Sequence, residues 1–195
     1  MRDGSLDEKF FLHYLKQDYV FLVHFARAWA LAVVKSETLE EMQYACVTMN
    51  SLINFEMQHH VEICADYGID EQELFKVVEA PANVAYTRYV IDAGLSGDLV
   101  DLLATLAPCI LGYGEIGHRL APAATPDNPY AEWIKDYADK EYQQVCQQTG
   151  QLLDQALERR IGADFETSPR WQRLCERFTT ATRLEVGFWD MSLQP

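Results

Sequence analysis

Apolar residues recur along this chain at intervals of three and four, and no stretch alternates in the manner of a strand, so the pattern predicts helices throughout. Ser5-Leu6-Asp7-Glu8 has the form of a capping box. Phe11, Tyr14, Leu15, Leu22, Phe25 and Trp29 then share one face, which predicts a long first helix over about 6–35. Thr38-Leu39-Glu40-Glu41 repeats the capping pattern. Leu39, Met42, Cys46, Met49, Ile53, Met57, His60 and Cys64 follow in steps of three or four up to a stop at Gly68, predicting a second long helix with this set as its apolar face. After a short acidic piece near 70–78, Pro81 and Asn83 open a helix that ends at Gly94. Gly97 and Asp98 begin another that runs to about Leu120. Pro108 lies inside it. A proline there lacks a backbone donor and pushes on the carbonyl four residues earlier, which predicts a bend immediately before Cys109. The segment 121–129 holds three of the seven prolines and reads as an ordered loop. Helical patterning resumes over 130–137 and 139–161, and Ser168-Pro169 supplies an N-cap and first-turn proline for a last helix ending near Met191. The expectation is an all-α bundle of seven or eight helices in a single domain spanning 1–195.

Charge narrows the set of partners. Sixteen Lys+Arg against thirty Asp+Glu leave a net charge of −14, and no basic patch opposes that average, so nucleic acid and anionic lipid are not expected partners. No uninterrupted apolar run reaches the ~20 residues of a membrane span, and the first ten residues lack the features of a signal peptide. A cytoplasmic protein with no membrane association is expected. The five cysteines are odd in number and widely spaced, with no C-x-x-C pair, and read as free thiols.

Several residues could carry chemistry. Cys109 lies on a strongly apolar helix, where a cysteine is ordinarily a small buried hydrophobe, but it follows the Pro108 bend and has Tyr113 one turn away on the same face. A thiol beside polar groups can act as a nucleophile once its thiolate is stabilised. Asp18 has Phe21 and Leu22 at three and four residues onward, and Glu185 has Phe188 and Trp189 in the same relation. A carboxyl held against aromatic surface is desolvated, its pKa rises, and it can hold a proton near neutrality as a general acid does. Phe21, Tyr86, Tyr113, Tyr137 and Phe188 lie on five different helices, and if they converge they line a pocket for a flat heterocycle. Two Glu-x-x-His pairs, Glu56 with His59 and Glu115 with His118, suggest a second chemistry, a di-iron carboxylate site with Asp18 and Glu185 as further ligands. The second helix's apolar stripe carries His60 better than His59, and the further inward Glu such a site wants is missing between the pairs.

Six blocks, in order, together resemble the TenA family of thiaminase II enzymes. They are Leu15-Lys16-Gln17-Asp18-Tyr19-Val20-Phe21, Glu56-Met57-Gln58-His59-His60, Tyr86-Thr87, Leu106-Ala107-Pro108-Cys109 through Tyr113-Gly114-Glu115-Ile116-Gly117, Tyr130 with Trp133, Ile134 and Tyr137, and Glu185 with Phe188, Trp189 and Met191. The match spans essentially the whole chain. The resemblance implies an all-helical, haem-oxygenase-like fold without haem, a homotetramer, and hydrolysis of aminopyrimidines with neither metal nor organic cofactor. The substrate would be 4-amino-5-aminomethyl-2-methylpyrimidine, releasing ammonia, or thiamin itself, releasing its thiazole.

Carried over by position, Cys109 stands where the family has its nucleophile and Asp18 where it has the carboxylate that binds the ring nitrogen and exocyclic amine. Glu185 matches the acid/base, and Tyr86, Tyr113, Tyr137 and Phe188 match residues that line the pocket or bond the catalytic groups. Two departures stand out. Phe21 occupies a place where many members have tyrosine, leaving stacking in place of a hydrogen bond, and the chain begins about where the family's second helix starts, so the family's N-terminal helix is expected to be absent. A non-catalytic regulator is the third reading, because members of the family have been labelled transcriptional regulators.

Overall fold

The most apolar stretch of the chain becomes its centre. In the computed structural model, which describes residues 1–195, α6 (Leu99–Leu120) packs against α1 (Glu8–Lys35), α5 (Pro81–Ser96), α7 (Ala131–Ala138), α8 (Lys140–Ile161) and α9 (Pro169–Ser192). Three shorter helices, α2 (Leu39–Ser51), α3 (Met57–Asp66) and α4 (Glu71–Leu74), complete an all-α bundle with no strand. By length and composition the segment Leu99–Ala123 is apolar enough to cross a membrane, although Asp101, Glu115 and Arg119 interrupt it, so the expectation that no uninterrupted apolar run reaches ~20 residues stands. Most of its apolar stretch is buried inside the bundle, as a largely apolar helix must be when protein rather than lipid surrounds it. Helix α6 runs unbroken through Pro108, and Cys109 is buried within it.

Helix starts follow the capping chemistry, with one correction. Thr38 and Glu41 form the expected capping box, Asp98 and Asp101 form another, and Ser168 caps α9 ahead of Pro169. At the first helix the cap is Asp7, whose carboxylate accepts from the Lys9 amide. The Ser5 hydroxyl donates instead to Asp3 at 2.7 Å, so the helix begins two residues after the predicted start.

The second predicted helix contains the largest departure. Leu39, Met42, Cys46 and Ile53, four of the residues assigned to its apolar face, are exposed, whereas Glu41, Ala45 and Leu52 are buried. The reason is a π-helical turn at Leu52–Glu56, which inserts an extra residue: the Met57 amide donates to the carbonyl of Leu52, five residues back. Before the turn the inner face lies one residue away from the predicted stripe. After it, Met57, His60 and Cys64 return to the stripe and face the core. Glu41 tolerates burial because Arg160 donates to both of its oxygens, at 2.7 and 2.9 Å, tying α8 to the start of α2.

Gly117 sets how closely α6 and α7 approach. A Cβ there would lie 2.5 Å from the carbonyl carbon of Tyr137 and 2.8 Å from the amide of Ala138, both backbone atoms that cannot swing away. Gly117→Ala is therefore expected to push α7 outward at a cost of about 1–3 kcal/mol, as overpacked cores do. For a chain of this size that lowers the melting temperature by about 2–4 °C per kcal/mol. A thermal melt unchanged from the wild type contradicts this packing account.

Candidate active site

Where α1, α6 and α7 meet beneath α2 and α8, the bundle encloses a cavity of about 520 Å³. Its inner wall carries Asp18, Phe21, Cys109, Tyr113, Tyr137 and Tyr142. Its rim is made by exposed residues of α2 and α8, among them Glu40, Gln43, Val47, Val145 and Gln148. The size and the mixture of apolar walls with a few polar groups suit a small organic ligand.

Asp18 has two side-chain neighbours at its Oδ2, Tyr14 and His60. The Tyr14 hydroxyl donates to its Oδ2 at 3.3 Å and itself accepts from the Trp133 indole N–H at 3.3 Å. His60 Nδ1 lies 3.6 Å from the same oxygen, and His60 Nε2 sits 2.7 Å from the carbonyl of Leu15. A carbonyl only accepts, so Nε2 carries the hydrogen, and in the neutral ring Nδ1 presents a lone pair to Asp18. Burial lowers the pKa of His60 and keeps the ring neutral. Burial first, and then the charges of Glu56 and Glu185, push Asp18 well above the usual carboxylate range. A proton resident on Asp18 suits both the carboxyl and the lone pair that faces it.

Glu185, on α9, is buried, and its Oε2 has no hydrogen-bond partner. The Tyr86 hydroxyl and the Trp189 indole N–H beside it are also buried without partners. Both neighbours pull the Glu185 pKa down by their polarity, yet neither closes a well-formed hydrogen bond to it. Desolvation wins, and the carboxyl rises to about 7. Three orphaned polar groups at one buried point are costly and leave bonding capacity free for a ligand.

Cys109 lines the cavity, 8% exposed. Burial raises its thiol well above its ordinary value, and Glu185, Asp18 and Glu56 each add to the rise. The sulfur is therefore surrounded by acids with no cation to stabilise a thiolate, and it rests as S–H. Any attack by this sulfur must pass its proton on as the new bond forms.

The predicted site residues are brought together, but in two layers. Asp18, Phe21, Cys109, Tyr113 and Tyr137 line the cavity, with the rings of Tyr113 and Tyr137 4.8 Å apart. Glu185, Tyr86 and Phe188 are not on its surface. The rings of Tyr86 and Phe188 pack behind Phe21 at 5.3 and 5.5 Å, so these two support the wall and do not form it. This corrects the expectation that all five rings line one pocket. The alternative metal constellation does not assemble: Glu115 and His118 face solvent, Glu115 lies 3.9 Å from Arg119, and His59 lies 3.6 Å from Asp136 on the surface. No group of three His, Cys, Asp or Glu side chains converges in metal-ligand geometry.

Sequence reasoning missed Tyr14 and His60 as neighbours of Asp18, and it singled out Glu56 only for a metal constellation that does not assemble. Tyr14 precedes Asp18 by four residues, a spacing that places the two side chains together on a helix. Glu56 lines the cavity and keeps solvent-accessible surface, yet protein encloses it closely enough that its carboxyl rises to about 7.

Helices wrapped around an acid-bearing aromatic chamber place this chain among the all-α proteins of haem-oxygenase-like fold. A domain of that fold from Shewanella denitrificans superposes with a TM-score of 0.74 at 14% identity, over 99% of this chain and 81% of that one. The chain belongs to the TENA/THI-4/PQQC family, whose model matches residues 1–195. An aminopyrimidine aminohydrolase from Halalkalibacterium halodurans is 35% identical over 97% of this chain and 83% of its own length. An uncharacterized protein of Haemophilus influenzae is 40% identical over 97% of this chain and 86% of its own length. The crystal structure of a TenA family transcription regulator from Silicibacter superposes with a TM-score of 0.97 at 58% identity, covering all of this chain and 86% of that one.

Proposed function

We propose that this chain is a hydrolase of aminopyrimidines in thiamin salvage, with Cys109 as nucleophile, Asp18 as the group on the ring nitrogen and exocyclic amine, and Glu185 as acid/base. The observation that carries the reading is the convergence of Cys109 and Asp18 on one aromatic cavity, with buried Glu185, its Oε2 unpartnered, acting electrostatically on both. Phe21, Tyr113 and Tyr137 offer faces and edges to a flat ring. The aminopyrimidine aminohydrolases among the relatives support the substrate class.

The chemistry follows from the protonation states. As Cys109 Sγ bonds to a ring carbon, its S–H bond breaks and the proton passes to the ring nitrogen, assisted by Asp18. A proton held there neutralises the charge that loss of aromaticity would otherwise leave on the ring, and donors fixed in advance are effective because they need no reorganisation. Glu185, protonated, gives its proton to the departing nitrogen. The carboxylate then takes one from the water that replaces it. Expulsion of the sulfur restores the aromatic ring and the thiol.

Turnover therefore needs the acid form of Glu185. A carboxyl at about 7 is protonated below that pH and ionised above it, so kcat is expected to plateau on the acid side and to fall as pH rises through 7. A turnover number that climbs steadily from pH 6 to 9 contradicts the assignment. The decisive assay is ammonia release from 4-amino-5-aminomethyl-2-methylpyrimidine beside thiazole release from thiamin. Activity on the first with little on the second makes this a salvage enzyme, and silence on both removes the reading.

The similarity to a protein described as a transcription regulator supports a second reading. The net charge of −14 opposes contact with a phosphate backbone. Duplex binding that weakens with salt in the expected steep manner would favour it. The resemblance also implies a homotetramer, which sedimentation at several concentrations tests directly.

A further inference from the structure

No positive charge lines the chamber. Three acids do: Asp18 on its inner wall, Glu40 at its rim, and Glu56, the last residue of the π-turn, while no Lys, Arg or His is among the lining residues. The chain arranges this over long distances. No Lys or Arg occurs from 36 to 75, from 99 to 118 or from 141 to 158, the stretches that supply α2, the π-turn, α3 and most of α6 and α8. Basic groups of the adjoining segments are engaged elsewhere: Lys16 pairs with Glu73, and Arg160 with Glu41. Burial and neighbouring carboxylates raise both Asp18 and Cys109, and no Lys or Arg acts against either rise.

A flat ring has its place in this hollow. Asp18, 5% exposed, uses Oδ2 to accept from Tyr14, and its Oδ1 accepts no hydrogen bond and is free for a ligand. A phosphate has none. Sites for phosphate are built from Arg or Lys side chains or from open helix N-termini. The α2 and α8 N-termini, whose first turns reach the chamber through Glu40 and Tyr142, are already closed by Thr38 with Glu41 and by Asp139. Volume does not decide the matter. Cavities of about 300–1,000 Å³ take drug-sized ligands, so about 520 Å³ holds a single pyrimidine with or without a phosphate. Charge does decide it: a phosphate monoester carries about −1.5 to −2 near neutrality, and acids in a cleft of low-dielectric walls focus their field on whatever enters.

We propose that Glu40 and Glu56 exclude phosphate esters from the chamber, so that the enzyme takes aminopyrimidines only in unphosphorylated form. The proposal rests on the hydrolase reading above and narrows its substrate class. Both carboxylates act through space, as a barrier that a neutral or cationic ligand passes and a dianion does not. This also sets a place in a reaction sequence: a phosphate on the pyrimidine must be hydrolysed off before this reaction or transferred on after it.

The test needs no turnover. Isothermal titration near pH 8, where Glu56 is ionised, compares 4-amino-5-hydroxymethyl-2-methylpyrimidine, the alcohol the reaction would release, with its phosphate monoester. Neither carries the aminomethyl group, so neither reacts. The wild type should bind the alcohol and hold the ester on the order of 100-fold more weakly, because each carboxylate costs a dianion about tenfold at roughly 6 Å in a water-like medium. Glu40→Gln and Glu56→Gln should each recover about tenfold of that deficit and the double variant about 100-fold, with the affinity for the alcohol changed by less than about twofold. Glu40→Lys should go further than Glu40→Gln. In the wild type, raising salt from about 0.05 to about 0.5 M should narrow the same gap by screening, a readout that needs no variant. Circular dichroism shows that each variant is folded. An ester bound as tightly as the alcohol overturns the proposal. So does a deficit that the double variant and salt both leave unchanged, since bulk rather than charge then excludes the ester. Either result leaves the hydrolase reading in place. Alcohol that does not bind, or a wild type that releases no ammonia from the aminomethyl compound, removes the hydrolase reading and the proposal with it.

Discussion

Cys109→Ser is expected to abolish ammonia release from the aminomethyl pyrimidine, a loss of roughly a thousandfold or more, while the helical spectrum stays unchanged. The difference lies in one atom. A hydroxyl is a far poorer acid than a thiol, and in this site nothing offsets that handicap, because burial, Glu185, Asp18 and Glu56 all disfavour an anion at position 109. The sulfur attacks only because a thiol is weakly acidic and polarizable enough to pass its proton to the ring as the carbon–sulfur bond forms. An alcohol in the same place has neither advantage. The fold should survive, since serine is close to cysteine in size and the adjacent cavity can supply water to its hydroxyl. The same electrostatics predict slow alkylation of Cys109 by iodoacetamide at neutral pH, slower than that of exposed Cys46 and Cys175. Full activity in the serine variant rejects covalent catalysis, and rapid alkylation of Cys109 rejects the account of its surroundings.

Glu185→Gln should cost turnover about 10²–10⁴-fold, the usual contribution of a general acid or base, and leave substrate affinity nearly intact. Glutamine keeps the shape and one hydrogen-bond donor but cannot transfer the proton. A large rise in KM with turnover preserved would make Glu185 a recognition group instead. The substitution has a second, opposite consequence for stability. The folded protein holds Glu185 protonated up to about pH 7, whereas the unfolded chain releases the proton near 4.5. Between those values the native state binds more protons, so this group lowers stability as pH rises across that window and leaves a constant penalty above it. At about 1.4 kcal/mol per unit of pKa, the penalty at pH 8 is roughly 3 kcal/mol. Glu185→Gln removes it, and its melting temperature relative to the wild type should rise between pH 5 and pH 8. A relative melting temperature independent of pH shows that the carboxyl is not held protonated. An active site that weakens its own scaffold in this way trades stability for chemistry.

Much of the molecule was legible along the chain because the relevant forces act over a few residues. Side chains that cap helices reach only the next turn, so Thr38 and Ser168 could be read as starts, and the 3.6-residue period placed Trp29, Tyr14 and Leu15 on a buried face. Carboxyls beside aromatic residues marked Asp18 and Glu185 as desolvated, and both are buried with raised pKa. Even here a competing local cap went unseen, since Ser5 and Asp7 lie two residues apart and nothing local says which will face the first amides.

The rest required contacts between distant segments. The regular stripe through α2 gave no sign that an extra residue would be accommodated at Leu52–Glu56; that turn exists because it lets Leu52 on one side and His60 on the other both reach the core. Tyr86 and Phe188 read as pocket walls and stand behind one, because Phe21 fills the space in front of them. The electrostatic character of Cys109 belongs to no local motif. The acids that act on it lie 91 and 53 positions before it and 76 after it in the chain, and they matter only once folding removes the water that would have screened them.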